Sequence, residues 1–264
     1  MRFLCLAFLL PLLMSCAQPP SPRLYAPTPL PRLSGVIHGQ VEVSGEMVLA
    51  DDLRIPAGSS LTFAPGSLVW VRPAESTKIF PEYLSSLTEI LVRGTLRISG
   101  NRQNPVRFLP LQPLDPVADG DPLWAGIELL PGAVASLSGF ELRRADVGLL
   151  VQQAEVSLSG GRLTGCRYGL LLQEGARLTA ERMDVRQGEV GLFCSGDAVL
   201  ALSDSSFSLM DEEGLYLDRQ CTVRLRQVVS RDNDVGLVAA DHFRPGLTLI
   251  DNRLPRLYLG GGVP

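Results

Sequence analysis

Gly169-Leu-Leu-Leu-Gln-Glu-Gly-Ala-Arg-Leu-Thr-Ala-Glu-Arg-Met-Asp-Val-Arg-Gln-Gly-Glu-Val190 is one period of a repeat. Its opening glycine with following apolar residues recurs as Gly126-Ile-Glu-Leu, Gly148-Leu-Leu-Val, Gly191-Leu-Phe-Cys, Gly214-Leu-Tyr-Leu and Gly236-Leu-Val-Ala. The spacings are 22, 21, 22, 23 and 22 residues. A period of this size marks a solenoid, in which each unit buries its apolar face only against its neighbours. Inside each unit a second run alternates apolar and polar residues, the period of a strand. Its inward pairs are expected at Ala135/Leu137, Val156/Leu158, Ala176/Leu178, Leu200/Leu202, Val223/Leu225 and Leu247/Leu249. A third apolar position is expected at Leu142, Leu163, Met183, Phe207 and Leu254, with Ser230 breaking the row.

No unit carries a helical stripe, and the leucine-rich-repeat string is absent. Two or three short strands per 22 residues, separated by turns, close into one coil. Stacked coils set like strands side by side about 4.8 Å apart, with right-handed crossovers expected. The prediction is an all-β, right-handed parallel β-helix over residues 34–259, followed by a tail at 260–264. Upstream, Pro56-Ala-Gly58 and Ala64-Pro-Gly66 are corner signals between the runs Leu53–Ile55, Leu61–Phe63 and Leu68–Val71. Residues 72–88 and 109–122, rich in proline, are predicted excursions from the coil that could cover a face.

Three passages resemble the parallel β-helix proteins of the pectate-lyase-like superfamily, especially bacterial cell-surface members. They are Leu53 to Gly66, then Ile90 to Gly100 with Asn104-Pro-Val-Arg-Phe108, and Leu123-Trp-Ala-Gly-Ile127. With the repeats they cover about residues 40–258. The resemblance implies the fold. It says little of function, because the superfamily holds lyases, hydrolases, adhesins and surface proteins.

The N-terminus reads as an address. Met1-Arg2 precedes an apolar run, Phe3 to Leu13, too short for the roughly 20 residues a membrane span needs. It ends in Leu13-Met-Ser-Cys16, which resembles the bacterial lipobox. The resemblance implies removal of residues 1–15 and acylation of Cys16, hence a membrane partner through lipid and a place in the cell envelope, at the outer membrane since residue 17 is Ala. Residues 16–33 carry six prolines and form an extended spacer. Net charge is −4, which offers no basic stripe for nucleic acid. Of five cysteines, Cys166, Cys194 and Cys221 remain in the mature domain. Their spacing suggests no zinc site. A Cys194–Cys221 bridge is one alternative and three buried thiols the other.

Enzymes of this superfamily act from an outer face bearing acidic and basic residues. Here the outward positions of the first strand are Glu128, Leu150, Leu171, Phe193, Tyr216 and Val238, and next to them Gln152, Gln173 and Asp218. No pair of titrating groups for acid–base work is visible along them, and His38 and His242 are isolated. The expectation is therefore a non-catalytic binding or structural scaffold without cofactor, with a polysaccharide-active enzyme as the alternative. The apolar row is covered by an excursion, meets a protein partner, or stacks on sugar beside its polar neighbours. Asp211, Glu212, Asp232 and Asp234 are weak candidates for sharing Ca²⁺.

Overall fold

The computed structural model describes residues 29–73, 84–111, 121–240 and 245–259. The signal run, Cys16, most of the proline spacer, His242, the 260–264 tail and the interiors of both excursions lie outside the described residues. Every strand pairing is parallel, and the coils stack as a β-solenoid of about 9 turns, about 22 residues apart. The first strand begins at Arg32, within the segment expected to be spacer.

Each full coil contributes to three sheets. In the repeat region the first sheet holds Trp124–Leu129, Ala145–Gln152, Tyr168–Gln173, Val190–Cys194, Glu213–Leu217, Val235–Ala239 and Leu254–Tyr258. The second includes Arg177–Glu181, Val199–Ser203 and Thr222–Arg226. The third includes Asp184–Gly188, Ser206–Met210, Val228–Arg231 and Leu247–Ile250. Strands Val134–Arg143 and Glu155–Thr164 run through both the second and third sheets, bending at Gly139 and Gly160 with φ of 52° and 66°.

The corners have a simple chemistry. Between the second and third sheets one residue per coil is left-handed: Gly139, Gly160, Arg182, Asp204, Gln227 and Gly246. Between the third and first sheets Arg144, Gly165, Gln187, Leu209, Asp232 and Asp251 play the same part. One left-handed residue turns the chain sharply without a loop, at a cost that non-glycine residues bear when the stacked coils hold them there.

The repeat glycines are needed for a different reason. Gly148, Gly169, Gly191, Gly214 and Gly236 stack in register, and none of them has positive φ. A Cβ on Gly191 would lie 2.6 Å from the Gly214 carbonyl oxygen and 2.9 Å from a Phe207 ring carbon. Gly169 meets Val185 and Gly191 in the same way. Backbone and third-sheet side chain fill the space, so the column admits only hydrogen.

The inner columns correct four sequence expectations. The second-sheet column runs Ala135/Leu137, Val156/Leu158, Leu178/Ala180, Leu200/Leu202 and Val223/Leu225. Ala176 instead sits in a turn, its N–H bonded to the Gln173 carbonyl. Leu247/Leu249 lie in the third sheet beside Val228/Ser230. The third-sheet column is Leu142, Leu163, Val185, Phe207, Ser230 and Leu249. Met183 stands outside it, and Leu254 belongs to the first sheet.

The upstream core is more aromatic. Phe63 and Phe108 meet edge to face at 5.2 Å, and Phe108 stacks on Trp124 at 6.2 Å. The buried Trp124 donates its Nε1–H to the Arg143 carbonyl at 2.8 Å, satisfying its one polar atom. Both excursions leave at the same corner on successive coils, from Leu68–Val71 to Glu89–Val92 and from Val106–Pro110 to Trp124–Leu129. The Thr88 hydroxyl donates to the Arg72 carbonyl at 2.7 Å and ties the ends of the first one.

Candidate functional site: the outer face of the first sheet

The predicted row exists as a ladder. Glu128 pairs with Leu150, Leu150 with Leu171, Leu171 with Phe193, Phe193 with Tyr216, Tyr216 with Val238 and Val238 with Leu257. Leu150, Leu171, Phe193 and Tyr216 are half-buried. Val238 departs from the expected exposed stripe: at 2% exposure it is buried. The usable face therefore ends near Tyr216 and reopens at Leu257, which is 47% exposed.

Phe193 and Tyr216 stack with centroids 4.3 Å apart and planes 8° from parallel. Parallel strands at one-coil spacing place successive rings face to face. Tyr168 approaches Phe193 edge on at 6.3 Å, and the Arg167 guanidinium lies 5.3 Å from the Tyr168 centroid. The face is thus an aromatic cluster with a cation at its margin.

The structure also shows what the sequence reading passed over. The residue just before each repeat glycine belongs to this neighbourhood too: Val147, Tyr168, Val190, Glu213 and Val235. Glu213 is the one acid among four apolar or aromatic residues. Burial pushes its carboxyl above the usual carboxylate range, and neighbouring Glu212 pushes the same way. The signal was present in the sequence as a position apolar in four coils and acidic in one. It was hidden because strict alternation, with the residue after each glycine pointing inward, assigns the residue before it to the inner face as well.

Of the polar neighbours, Gln152 and Gln173 stand in register and half-exposed. The Gln152 side-chain amide donates to a Glu174 carboxylate oxygen at 2.9 Å. Asp218 lies two coils on, and it accepts from the Arg219 N–H at 2.6 Å, which fixes its turn. The three therefore line one margin of the face without forming a cluster.

The calcium candidates do not converge. Asp234 pairs with Arg253, which holds its carboxyl below the usual range, and Asp232 pairs with Arg231 at 3.3 Å. Asp211 and Glu212 are exposed. Among the described residues no group of three or more potential ligands could hold a metal ion.

Beside the aromatic cluster, the corner between the third and first sheets bounds a groove of about 750 Å³, lined by Arg143, Arg144, Arg167, Glu189 and Asp211 among others. Arg167 bonds Asp146 at 2.5 Å. Glu189, on the next coil, has its carboxyl raised by burial, an effect opposed by Arg167 and reinforced by Glu212, Asp146 and Asp211. Burial raises the Tyr168 phenol as well. This arrangement offers a carboxyl group and arginines in one depression, with the Tyr168 phenol next to it against Arg167. Arg167 and Glu189 did not stand out in the sequence, because they occupy corner positions where charges are ordinary.

No protein-family model matches the chain, and a comparison with curated proteins finds no match. Two solved structures of a periplasmic alginate epimerase are similar to it, each at 12% identity. One aligns with a TM-score of 0.47 over 76% of this chain and 53% of the epimerase, the other with 0.37 over 85% and 75%. The chain spans about half the length of the first. Similarity at this level transfers no activity.

Proposed function

We propose that this protein is a lipid-anchored solenoid of the bacterial cell envelope that binds a partner through the outer face of its first sheet and performs no chemistry there. The observation that carries the reading is the continuous ladder Leu150, Leu171, Phe193 and Tyr216, half-exposed and ending in a stacked aromatic pair. A contiguous apolar surface with a polar margin is the usual form of an interface or ligand face. A rigid rod suits presentation: its coils hold the ladder straight, so bound partners meet a preorganised surface. The Leu13-Met-Ser-Cys16 string supports an acyl anchor, and two or more acyl chains suffice for stable membrane attachment.

The partner class is tested by presenting residues 29–264 to a glycan array and to solubilised envelope proteins. Binding that disappears in Phe193→Ala/Tyr216→Ala, with unchanged thermal unfolding, supports the reading. Binding unaffected by that double substitution defeats it. For the anchor, Cys16→Ser should release the full chain from membranes into the soluble fraction.

A second reading is favoured by one specific observation. Glu189 and Tyr168, both raised, flank Arg167 beside the corner groove, and perturbed titrating groups in a cleft are a recognised sign of catalysis. On this reading the protein acts on a polysaccharide, with Glu189 and Tyr168 moving protons. Chain cleavage or epimerisation of any polysaccharide, lost in Glu189→Gln, would establish it over the scaffold reading.

A further inference from the structure

The geometry points to a disulfide between Cys194 and Cys221 that staples two successive coils of the mature protein. Cys194 ends a first-sheet strand and points inward, fully buried, in the column of Val151, Leu172 and Leu217. Cys221 belongs to another column. Its N–H closes a turn on the Asp218 carbonyl, and backbone bonds run from coil to coil through Ala133, Ala154, Ala176 and Ala198 to the strand beginning at Thr222. Four coils place alanine at this inner corner and the fifth places cysteine. The added sulfur reaches diagonally back one coil, and the two Sγ atoms come to 2.6 Å. Unbonded sulfur atoms do not pack that closely, whereas a bonded pair has the cross-coil placement seen here. The 27-residue separation is one coil plus the width of a turn, which is why the repeat offsets alone leave the pair undecided.

Cys166 supplies the contrast. It is buried at a different corner, and burial pushes its thiol up to about 12, leaving it an inert core residue. Cys221 is 8% exposed against 0% for Cys194, and its sulfur contact with Cys194 holds its thiol below the usual range. Cys221 is therefore the thiol an oxidant meets. Its thiolate attacks one sulfur of a disulfide-carrying oxidant and expels the other sulfur as a thiolate. Cys194 then attacks Cys221 Sγ in the mixed disulfide and releases the second thiolate. The two cysteines lose two protons and two electrons, and the oxidant's disulfide is reduced to a dithiol.

The oxidant's availability in the cell rests on the export reading, and the test separates the two. The full chain is recovered from cell envelopes, alkylated without reduction while denatured, and digested with trypsin, which cuts after Arg219 between the cysteines. Fragments 187–219 and 220–224 should appear joined, with Cys166 alone alkylated. If the chain is found in the cytoplasm the export reading fails, and the staple is decided by treating reduced, folded protein with oxidised glutathione. There the same joined fragments are expected. Alkylation of both Cys194 and Cys221 after either treatment overturns the proposal. Reductant should lower the unfolding midpoint of the oxidised protein by roughly 5–10 °C. That sensitivity should vanish in Cys221→Ala, which restores the residue of the other coils, and persist in Cys166→Ala. Equal sensitivity in Cys221→Ala would also defeat the staple.

Discussion

The middle coils and the final coils obey one repeat with different interiors. From Leu142 to Phe207 the third-sheet column is apolar and buried. At the next coil Ser230 occupies that column, fully buried. Its hydroxyl donates to the Gly236 carbonyl at 2.7 Å and accepts from the Asn233 amide at 2.9 Å. Asn233 also accepts the Met210 N–H at 2.9 Å, and its own N–H is taken by Asn252 at 3.1 Å. Asn252 donates in turn to the Ser230 carbonyl. A solenoid column can thus change from leucine to a polar ladder, provided every donor finds an acceptor. The break that Ser230 makes in the hydrophobic pattern is a substitution of one cohesion for another.

The end of the rod differs again. No second-sheet strand follows Thr222–Arg226 among the described residues, and Val223, Leu225, Leu247 and Leu249 are only partly buried. Ile250, Leu254 and Tyr258 are exposed. Cohesion is therefore greatest in the middle and weakest at this end, as expected for units that contact only their neighbours.

The contrast can be broken most forcefully in the middle. Gly191→Val should cost about 4 kcal/mol or prevent folding, because neither the Gly214 carbonyl nor Phe207 can retreat far from the new Cβ. Gly160→Ala, in open space with a φ that already disfavours side chains, is the milder control at about 1 kcal/mol. Leu163→Ala should cost about 2–5 kcal/mol in denaturant unfolding, and Leu249→Ala, half-buried in the same column, no more than about 1 kcal/mol. Equal costs would show that the final coil is as well sealed as the middle. Asn233→Leu leaves the Met210 N–H without its acceptor and should cost about 1–3 kcal/mol, despite adding apolar volume. A neutral result would mean that the polar ladder is dispensable.

The smallest effect concerns Glu213. Its folded-state carboxyl titrates above the unfolded one, so the folded protein binds more protons in the window between them. Stability should therefore fall as pH rises from the ordinary glutamate range through the raised value. Glu213→Gln should flatten this slope and give a slight gain at neutral pH, read by thermal unfolding across pH 4 to 8.

The solenoid was legible because glycine followed by leucine recurs near every twenty-second residue, and strand alternation within each unit is hard to mistake. The register of the second and third sheets was less legible. Corners shorten and lengthen by a residue, so Ala176 and Leu178 looked like a pair when Leu178 and Ala180 are one. The last coil misled further, since Leu247 and Leu249 have second-sheet alternation but third-sheet neighbours. Of the candidate face, Leu150, Leu171, Phe193 and Tyr216 could be read directly. Tyr168 and Glu213 could not, because strict alternation assigns the residue before each glycine to the inner face, and Glu189 stands at a corner.

By itself the chain's periodicity determined a stack of parallel coils, since a 22-residue unit with short alternating strands cannot seal its apolar side chains alone. Its first 16 residues determined the expectation of an exported, acylated protein. Only the tertiary structure decided which outward residues are accessible, burying Val238 while leaving Tyr216 half open. It alone brought Cys194 to Cys221. Neighbours one coil apart are separated by about 5 Å in space and by a turn of variable length in sequence, so contacts between columns follow the corners, which the repeat leaves free to vary.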